Sequence, residues 1–433
     1  MNFIRTRDRF LTALLISVTL NFGCQNTIFQ PANSTPPAMR EVSAVRLNYK
    51  YEADVPAPET EATRAPEERN PAVLADFDAN RPLELLDRTI VSPDKKRIAA
   101  VYHRISDTQS DHRLDIYSVD GVLQKKVTSD MMAVHFPDTI VWSPDSNSFA
   151  FVAMIRTEQP DAIAGATIPT NTPPVPNENS NTLNSEVITQ AETPAAAMQP
   201  TVVAPTGILT FRTEQIYICN ADGSSVKPVT ENEGLIYFYY AWSPDSSMLA
   251  ALATTAREWK IAEITADSKS EMMVPLGRLR IVERNGRERR LDDNLTAVHP
   301  VWSPDSAKVA VAFETQLRIY DANGTNPTQA AIPLRNQLLI SSQIYDREQQ
   351  RQAQASNADA NTSTTPDQPL STLPDEKLLV SYNPIVGIAW PADDLIYLKT
   401  AYLKRMKNEA DNVTSFARWH RLALLPQAAA SPK

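Results

Sequence analysis

Aspartates that recur at one position of a repeated segment are the side chains in this sequence most able to form a shared chemical site. The five positions are Asp94, Asp145, Asp245, Asp305 and Asp393. A ring of carboxylates could bind cations. An Asp in a tight turn also accepts hydrogen bonds from its own backbone, and it needs no ligand to be useful there. We therefore expect these carboxylates to cap their turns, and we predict no metal site.

A second candidate is a run of arginines around an Asn-Gly pair at 285–286. Alternation along two strands would place much of this positive charge on one face of a hairpin. Such a face could bind an anionic polymer or an acidic protein surface, although the interspersed acidic residues could instead neutralise it. The arginines are Arg278, Arg280, Arg284, Arg287, Arg289 and Arg290, and the acidic residues are Glu283, Glu288, Asp292 and Asp293.

The motifs of common catalytic and cofactor sites are missing from the sequence. No two of the ten glycines lie closer than nine positions apart, which excludes the glycine-rich loops that hold phosphates. There is no Gly-x-Ser-x-Gly elbow, and the five histidines show no metal-ligand spacing. Cys219 lies in an alternating strand without a basic neighbour, which indicates a half-buried core residue. We expect no cofactor and no enzymatic activity.

Repeated strand-turn-strand segments are the elements that must position these residues. Residues 141–146, 241–246 and 301–306 each contain Trp-Ser-Pro-Asp-Ser, and degenerate copies lie at 90–94 and 389–393. Ser-Pro-Asp favours a tight turn between two strands. The tryptophans before the turns are expected to be buried in the core. They are Trp142, Trp242, Trp302 and Trp390.

A second signature, Asp-Gly or Asn-Gly, follows an apolar run in four of the modules, at 120–121, 222–223, 285–286 and 323–324. This dipeptide is a strong signal for a β-hairpin. Each module therefore holds up to four antiparallel strands. Repetition of this unit predicts an all-β fold, a β-propeller of four-stranded antiparallel blades. Five modules predict five blades, and six blades is the alternative.

The Trp-Ser-Pro-Asp modules resemble the repeats of TolB-type β-propellers, which also occur in the propeller domains of prolyl-oligopeptidase-like peptidases. The resemblance covers roughly residues 87–425. It implies a non-catalytic interaction scaffold of the bacterial cell envelope. The alternative is a propeller-type hydrolase or lyase with its site at the central channel. The family usually has Gly after the Asp, where this chain has Ser146, Ser246, Ser306 or Lys95.

The N-terminus has the features of an export signal. Arg5, Arg7 and Arg9 precede a mostly apolar run at 10–22, which is too short to span a membrane comfortably. Gly23 and Cys24 follow, and this junction resembles the bacterial lipoprotein signal. The resemblance implies that Cys24 is lipidated and becomes the mature N-terminus, on the periplasmic or outer face of the envelope. An ordinary cleaved signal and an uncleaved anchor are the alternatives.

Composition divides the rest of the chain into ordered modules and low-complexity segments. The two insertions, rich in Pro, Thr, Asn, Gln and Ala, are predicted to be disordered. The predicted segments are 1–23 signal, 24–40 tether, 41–52 closing strand, 53–82 linker, 83–425 propeller with insertions at 158–205 and 347–377, and 426–433 tail.

The segment at 41–52 is assigned to the last blade because the fifth module shows only three candidate strands. A propeller that left a long sheet edge exposed would invite association. We predict that this segment pairs with the last strand and joins the two ends of the chain. The net charge of −9 argues against a nucleic-acid partner. We expect a monomer that contacts the membrane through its lipid anchor and binds an envelope protein or polymer.

Overall fold

Five antiparallel sheets and three α-helices form the described part of the chain. The structure is a computed structural model that describes residues 38–59, 69–106, 111–155, 213–324, 326–356, 381–404 and 413–426. Cys24, the insertion at 158–205 and residues 357–377 of the second insertion lie outside this part. The predicted all-β fold is confirmed in its coarse form, because antiparallel sheets dominate and helices are few.

Each sheet is built from one repeated module, and we number the sheets 1 to 5 in module order. Sheets 1, 3 and 4 are four-stranded, with the strands paired in sequence order. Their strands are β2 (Glu84–Val91), β3 (Arg97–Arg104), β4 (Arg113–Ser118) and β5 (Leu123–Lys126); β11 (Leu235–Trp242), β12 (Met248–Thr255), β13 (Arg278–Glu283) and β14 (Glu288–Arg290); and β15 (Val301–Trp302), β16 (Lys308–Phe313), β17 (Gln316–Asp321) and β18 (Gln329–Pro333).

Sheets 2 and 5 have five strands each, because the first strand of the module is divided in two. In both sheets the two pieces pair with the same second strand, β8 or β21. The strands of sheet 2 are β6 (Met132–Ala133), β7 (Val141–Trp142), β8 (Ser148–Ile155), β9 (Gln215–Asn220) and β10 (Lys227–Pro228). Those of sheet 5 are β19 (Ser381–Tyr382), β20 (Ile385–Ala392), β21 (Leu395–Lys404), β22 (Val413–Pro426) and β1 (Leu47–Glu52).

Strand β1 comes from the N-terminal segment and forms the outer edge of sheet 5. It pairs antiparallel with β22, from Leu47 opposite Pro426 to Glu52 opposite Arg421. The sequence predicts this pairing, but the strand starts six residues later than the predicted 41–52. Before it lie two short 3-10 helices, Met39–Glu41 and Ala44–Arg46. Sheet 4 holds this segment out of the strand, because the Asp321 carboxylate accepts the N–H of Ala44 at 3.1 Å.

The repeated turns between the first and second strands share one hydrogen-bond pattern. In sheet 3 the Ser243 hydroxyl donates to Asp245 at 2.6 Å, and the same carboxylate oxygen accepts the N–H of Ser247 at 3.1 Å. Asp94, Asp145 and Asp305 accept the corresponding bonds in sheets 1, 2 and 4. The carboxylates thus lie in their own turns. At Asp393 the backbone carbonyl is the acceptor, from the Trp390 indole at 3.3 Å.

The serines that directly follow three of the turn aspartates, Ser146, Ser246 and Ser306, connect neighbouring sheets. Each has the left-handed backbone conformation that normally favours Gly, with φ of 59° to 61°. Their hydroxyls each accept the Asp N–H of the preceding turn, from one sheet to the next. The three bonds run from Asp94 to Ser146 (3.0 Å), from Asp145 to Ser246 (3.1 Å) and from Asp245 to Ser306 (3.0 Å). We infer that the serine hydroxyl compensates for the backbone strain.

A pair of substitutions at Ser246 tests this interpretation. Ser246→Ala removes the acceptor but keeps the strained φ, whereas Ser246→Gly removes the acceptor and relieves the strain. We expect Ala to destabilise the fold by about 1–2 kcal/mol and Gly by about 1 kcal/mol less than Ala. Urea denaturation of the two variants measures both values. Equal stability of Ser246→Ala and wild type would contradict the proposed role of the hydroxyl.

The apolar core is divided into layers between successive sheets. Four buried clusters lie between sheets 1 and 2, 2 and 3, 3 and 4, and 4 and 5. Two indoles cross these layers, because Trp142 donates to the carbonyl of Ile90 and Trp302 to that of Ala241, both at 3.0 Å. The sheets therefore pack in series along the chain.

Helix α1 (Pro71–Asn80) covers the face of sheet 1 that does not meet sheet 2. This helix falls inside the segment predicted to be a linker, 53–82. Asn70 caps it by accepting two backbone N–H groups, and Pro71 occupies the first turn, where its missing N–H costs nothing. Val73 and Phe77, one turn apart, are buried against the sheet. Two apolar residues in a Pro- and Ala-rich stretch are a weak periodic signal, so the helix was not predicted.

The other two helices lie in connections. Helix α2 (Ala256–Lys269) follows β12 and starts with a capping box between Thr255 and Glu258. Helix α3 (Arg335–Ser356) follows β18 and contacts β19. The last ten residues of α3 cover the start of the predicted insertion at 347–377, so the ordered chain extends further than its Gln- and Ala-rich composition indicates.

Candidate anion-binding cleft

The predicted arginine cluster lies on the outer hairpin of sheet 3, strands β13 and β14. Four of its six members are ion-paired with carboxylates, two of them within the hairpin itself. The pairs are Arg278–Glu258 (2.8 Å), Arg280–Glu288 (2.5 Å), Arg287–Glu283 (3.6 Å) and Arg290–Asp293 (2.9 Å). The charge of these four arginines is therefore compensated locally, in three cases by the interspersed acidic residues, as predicted, and for Arg278 by Glu258 of α2.

Arg289 reaches sheet 4 instead of a carboxylate. Its guanidinium donates to the carbonyls of Gly324, at 3.1 Å, and Ala322. Burial lowers the pKa of Arg289 from its ordinary value, in keeping with a group surrounded by protein. We therefore assign Arg289 to the contact between sheets 3 and 4.

Arg284 faces a cavity, and it forms no ion pair with a carboxylate in the part of the chain that the structure describes. Its guanidinium donates to the Ser148 hydroxyl of sheet 2 and to the Ser246 carbonyl, the latter at 3.3 Å. It also lies over the Trp242 ring, 5.7 Å from the centroid. These neutral contacts fix the direction of the side chain. Burial alone would raise the pKa of the Asp145 carboxyl, but local hydrogen bonds and then the charge of Arg284 lower it, although Arg284 and Asp145 form no ion pair.

The Arg284 side chain lines a cleft between sheets 2 and 3. A cavity of about 430 Å³ lies between the exit of β10 and the β13–β14 hairpin, and one of about 330 Å³ adjoins it over β9. Lys227 and Arg284 line both cavities. Within the described ranges Lys227 forms no ion pair with a carboxylate, so two cationic groups line the same cleft.

The acidic side chains of the cleft differ in their availability. Glu288, at its base, accepts bonds from Arg280 at 2.5 Å, from the Tyr237 hydroxyl at 2.8 Å and from Asn232. Glu231 lies exposed at the rim. The carboxylate at the base is thus neutralised, whereas Glu231 opposes an anion that passes the rim. The balance of charge inside the cleft favours an anionic ligand.

Sequence reasoning missed a second polar cluster, on sheet 1. Asp87 is the extra residue of a bulge in β2, between the paired positions Leu86 and Arg88. Its two carboxylate oxygens bond the Nδ1 atoms of His103 (2.8 Å) and His112 (3.1 Å). Burial alone would raise the pKa of Asp87, but these imidazole contacts outweigh it and hold the pKa below its usual value.

A third histidine lies beside this cluster, at the junction of sheets 1 and 2. His135 Nε2 bonds Asp111 at 2.8 Å, and His135 Nδ1 bonds Glu214 at 2.6 Å. His103 lies near the end of β3, His112 in the connection from β3 to β4, and His135 just after β6, the first piece of the divided first strand of sheet 2. In an antiparallel module the end of the second strand and the start of the first strand lie at the same end of the sheet. The order of strands in the sequence could therefore have indicated that these three histidines lie at the same end of neighbouring sheets.

The described residues contain no group of three or more His, Cys, Asp or Glu side chains arranged to hold a metal ion. Both Nδ1 atoms of the Asp87 cluster point at one carboxylate, so the Nε2 atoms point away from that carboxylate. Cys219 is buried in the core between sheets 1 and 2. Burial raises the pKa of its thiol to about 12, so it carries no nucleophilic thiolate near neutral pH.

Several solved structures resemble the chain at low sequence identity. No protein-family profile and no curated protein matches the chain. An oligogalacturonate lyase from Vibrio parahaemolyticus is 10% identical, with a TM-score of 0.32 over 78% of this chain and 65% of the lyase. A putative TolB from Agrobacterium tumefaciens is 13% identical, with a TM-score of 0.26 over 57% of this chain and 66% of that protein. Prolyl oligopeptidase B from Galerina marginata is 9% identical, with a TM-score of 0.37 over 87% of this chain and 45% of the peptidase.

These likenesses are too distant to argue for an activity or a partner. The chain spans less than two thirds of each of these proteins. In the ranges that the structure covers, no helix is long and apolar enough to cross a membrane.

Proposed function

We propose that this protein is a cell-envelope β-propeller that binds an acidic protein segment in the cleft between sheets 2 and 3. The observation that carries the proposal is that Arg284 and Lys227 line both cavities of the cleft and that neither forms an ion pair with a carboxylate among the described residues. Every other arginine of the hairpin is engaged by a carboxylate or by backbone carbonyls. A ligand with two or more carboxylates could pair with Lys227 and Arg284 at the same time.

The serial packing of the sheets supports the propeller. The five sheets are its blades, with β1 as the outer strand of the fifth and α1 against the free face of the first. Propellers leave short, protected edges and present many loops, which suits a binding scaffold. The export signal predicted before Cys24 supports a lipid-tethered position in the envelope, and the net charge of −9 disfavours nucleic acid.

An acidic peptide fits the cleft better than a sugar chain does. The residues that line the two cavities include no aromatic ring on which a sugar ring could stack. They do include a carboxamide and a backbone turn suited to a peptide, at Asn285 and Gly286. We therefore expect carboxylates of an extended acidic segment to pair with Lys227 and Arg284 while its backbone bonds the amides.

A catalytic alternative, a hydrolase or lyase acting at the central channel, has one observation in its favour. Asp87 orients two imidazoles through their Nδ1 atoms, as a carboxylate does for a general base. Measuring ligand consumption in the binding experiment below separates this alternative from a scaffold.

Fluorescence anisotropy with three labelled polyanions tests the proposal. We expect oligoglutamate to bind more tightly than oligogalacturonate or polyphosphate, and we expect a Lys227→Gln/Arg284→Gln double variant to lose about 100-fold in affinity. Preferential binding of oligogalacturonate would identify a polysaccharide partner instead. Cleavage of that ligand by wild type would favour the catalytic alternative, and equal binding by wild type and the double variant would exclude this cleft.

A further inference from the structure

Three segments meet around His135 at the junction of sheets 1 and 2. His135 lies between β6 and a 3-10 helix, Pro137–Thr139, in the segment that separates the two pieces of the first strand of sheet 2. Asp111 precedes β4 of sheet 1, and Glu214 precedes β9 of sheet 2. Both contacts are short, 2.8 Å and 2.6 Å, and Glu214 is fully buried.

The two carboxylates bonded to the His135 ring determine how many protons the group must hold. A neutral imidazole has one N–H donor and one acceptor nitrogen, whereas ionised carboxylates only accept. Two carboxylates on the two nitrogens of one ring therefore require one proton more than a neutral histidine supplies. We infer that His135 carries both ring protons and acts as a proton-dependent lock between sheets 1 and 2.

Charged groups from each neighbouring element surround the lock. Within the described ranges, Arg88 of β2 donates to Asp138 and to the Pro137 carbonyl, just beyond His135. His112, whose side chain bonds Asp87, exchanges two backbone hydrogen bonds with Val134. Arg88 and Asp138 pair with each other at 3.1 Å, and the two carboxylates bond the His135 ring directly at Nδ1 and Nε2.

Glu214 extends the lock to sheet 3. Its N–H donates to the Leu235 carbonyl at 3.0 Å, and its own carbonyl accepts from Tyr237 at 3.1 Å. When His135 loses a proton as pH rises, one carboxylate must face a nitrogen lone pair. For the fully buried Glu214 this is costly, because a buried carboxylate oxygen then meets a lone pair in place of an N–H donor. The junction should then loosen at the end of the sheets where the β3–β4 and β8–β9 connections emerge.

Hydrogen exchange of the full chain over the range in which imidazole titrates, about pH 5 to pH 8, tests the lock. After correction for intrinsic exchange, we expect protection at residues 132–135 and 213–216 to fall by about tenfold as pH rises. Asp111→Asn should remove this dependence, because the new amide can donate to an unprotonated Nε2. Constant protection in wild type, or the same dependence in Asp111→Asn, would overturn the inference.

A second measurement keeps the inference testable if Asp111→Asn does not fold. The ¹⁵N chemical shifts of His135 in wild type distinguish a doubly protonated ring from one with a lone pair. We expect both nitrogens to be protonated at the lower end of the range. A lone-pair shift on either nitrogen there would overturn the lock.

Discussion

Replacing Arg81 by methionine is expected to lower the free energy of unfolding by roughly 3–5 kcal/mol, because it leaves a buried carboxylate without its partner. Arg81 ends helix α1 and pairs with Asp115 of β4 at 2.6 Å. Asp115 is fully buried. The guanidinium also bonds the Tyr117 hydroxyl at 2.7 Å and stacks on the rings of Phe77 and Tyr102. One side chain thus fastens α1 to sheet 1.

The pH dependence of the Arg81→Met variant identifies the cause of its instability. Burial raises the pKa of Asp115, although Arg81 opposes this shift. Without Arg81 the raised pKa favours the protonated acid in the fold, so the variant should recover part of its stability as pH falls. An Arg81→Met/Asp115→Asn double variant should recover stability at neutral pH.

A matched control comes from Arg104, a half-exposed arginine on the same sheet. Its main partner, Asp130, is largely exposed, and the distance is 2.8 Å. Arg104→Met should therefore cost less than about 1 kcal/mol. Chemical denaturation of both variants gives the comparison. Similar losses for Arg81→Met and Arg104→Met would show that the buried carboxylate does not account for the effect.

The stability of sheet 5 is expected to fall as pH drops from about 6.5 to about 4, through His420. His420 is fully buried in β22, where Nδ1 bonds the Tyr51 hydroxyl of β1 and Nε2 bonds the Thr400 hydroxyl, both at 2.9 Å. Burial, and then the charge of Arg418, lower the pKa of His420 to about 4. The folded chain therefore keeps this ring neutral.

The direction of this pH effect on stability follows from the lowered pKa of His420. Above about pH 6.5 His420 is neutral in both states, and its contribution to stability is fully present. As pH falls, His420 binds a proton in the unfolded chain, whereas in the folded chain it stays neutral until about pH 4. The resulting loss is at most about 3 kcal/mol.

Urea denaturation at several pH values tests this expectation. A His420→Gln variant can keep hydrogen bonds to Tyr51 and Thr400 but cannot titrate, so its stability should depend less on pH over this range. Lys50→Gln, an exposed change on β1, should behave as wild type does. Parallel curves for wild type and His420→Gln would contradict the assignment to this ring.

Local sequence signals predicted the sheets because the information lay within each turn. Ser243 and Asp245 bond each other and the backbone of the same turn, so residue types alone could indicate the structure. The pairing of β1 with β22 was predicted from period-two alternation and from a missing strand. Its start was misplaced because Ala44 is held by Asp321, a contact distant in sequence.

The helices and the cleft depended on contacts that the sequence does not display. Thr255 and Glu258 form a capping box that could have revealed α2, whereas α1 depends on the fit of two side chains against sheet 1. The six arginines of the hairpin are similar in sequence context. Arg284 differs from the others because Ser148 of sheet 2 and the Trp242 ring of its own sheet position it, which only the fold determines.

The most direct test of the account is the affinity of an oligoglutamate peptide for two single variants from the same hairpin. Arg284→Gln removes a cation that faces the cleft, and Arg290→Gln removes one that is half-exposed beside Asp293 at 2.9 Å. At low ionic strength we expect Arg284→Gln to weaken binding about tenfold or more and Arg290→Gln by less than about twofold. Equal losses in the two variants, or no measurable binding by wild type, would contradict a ligand site in this cleft.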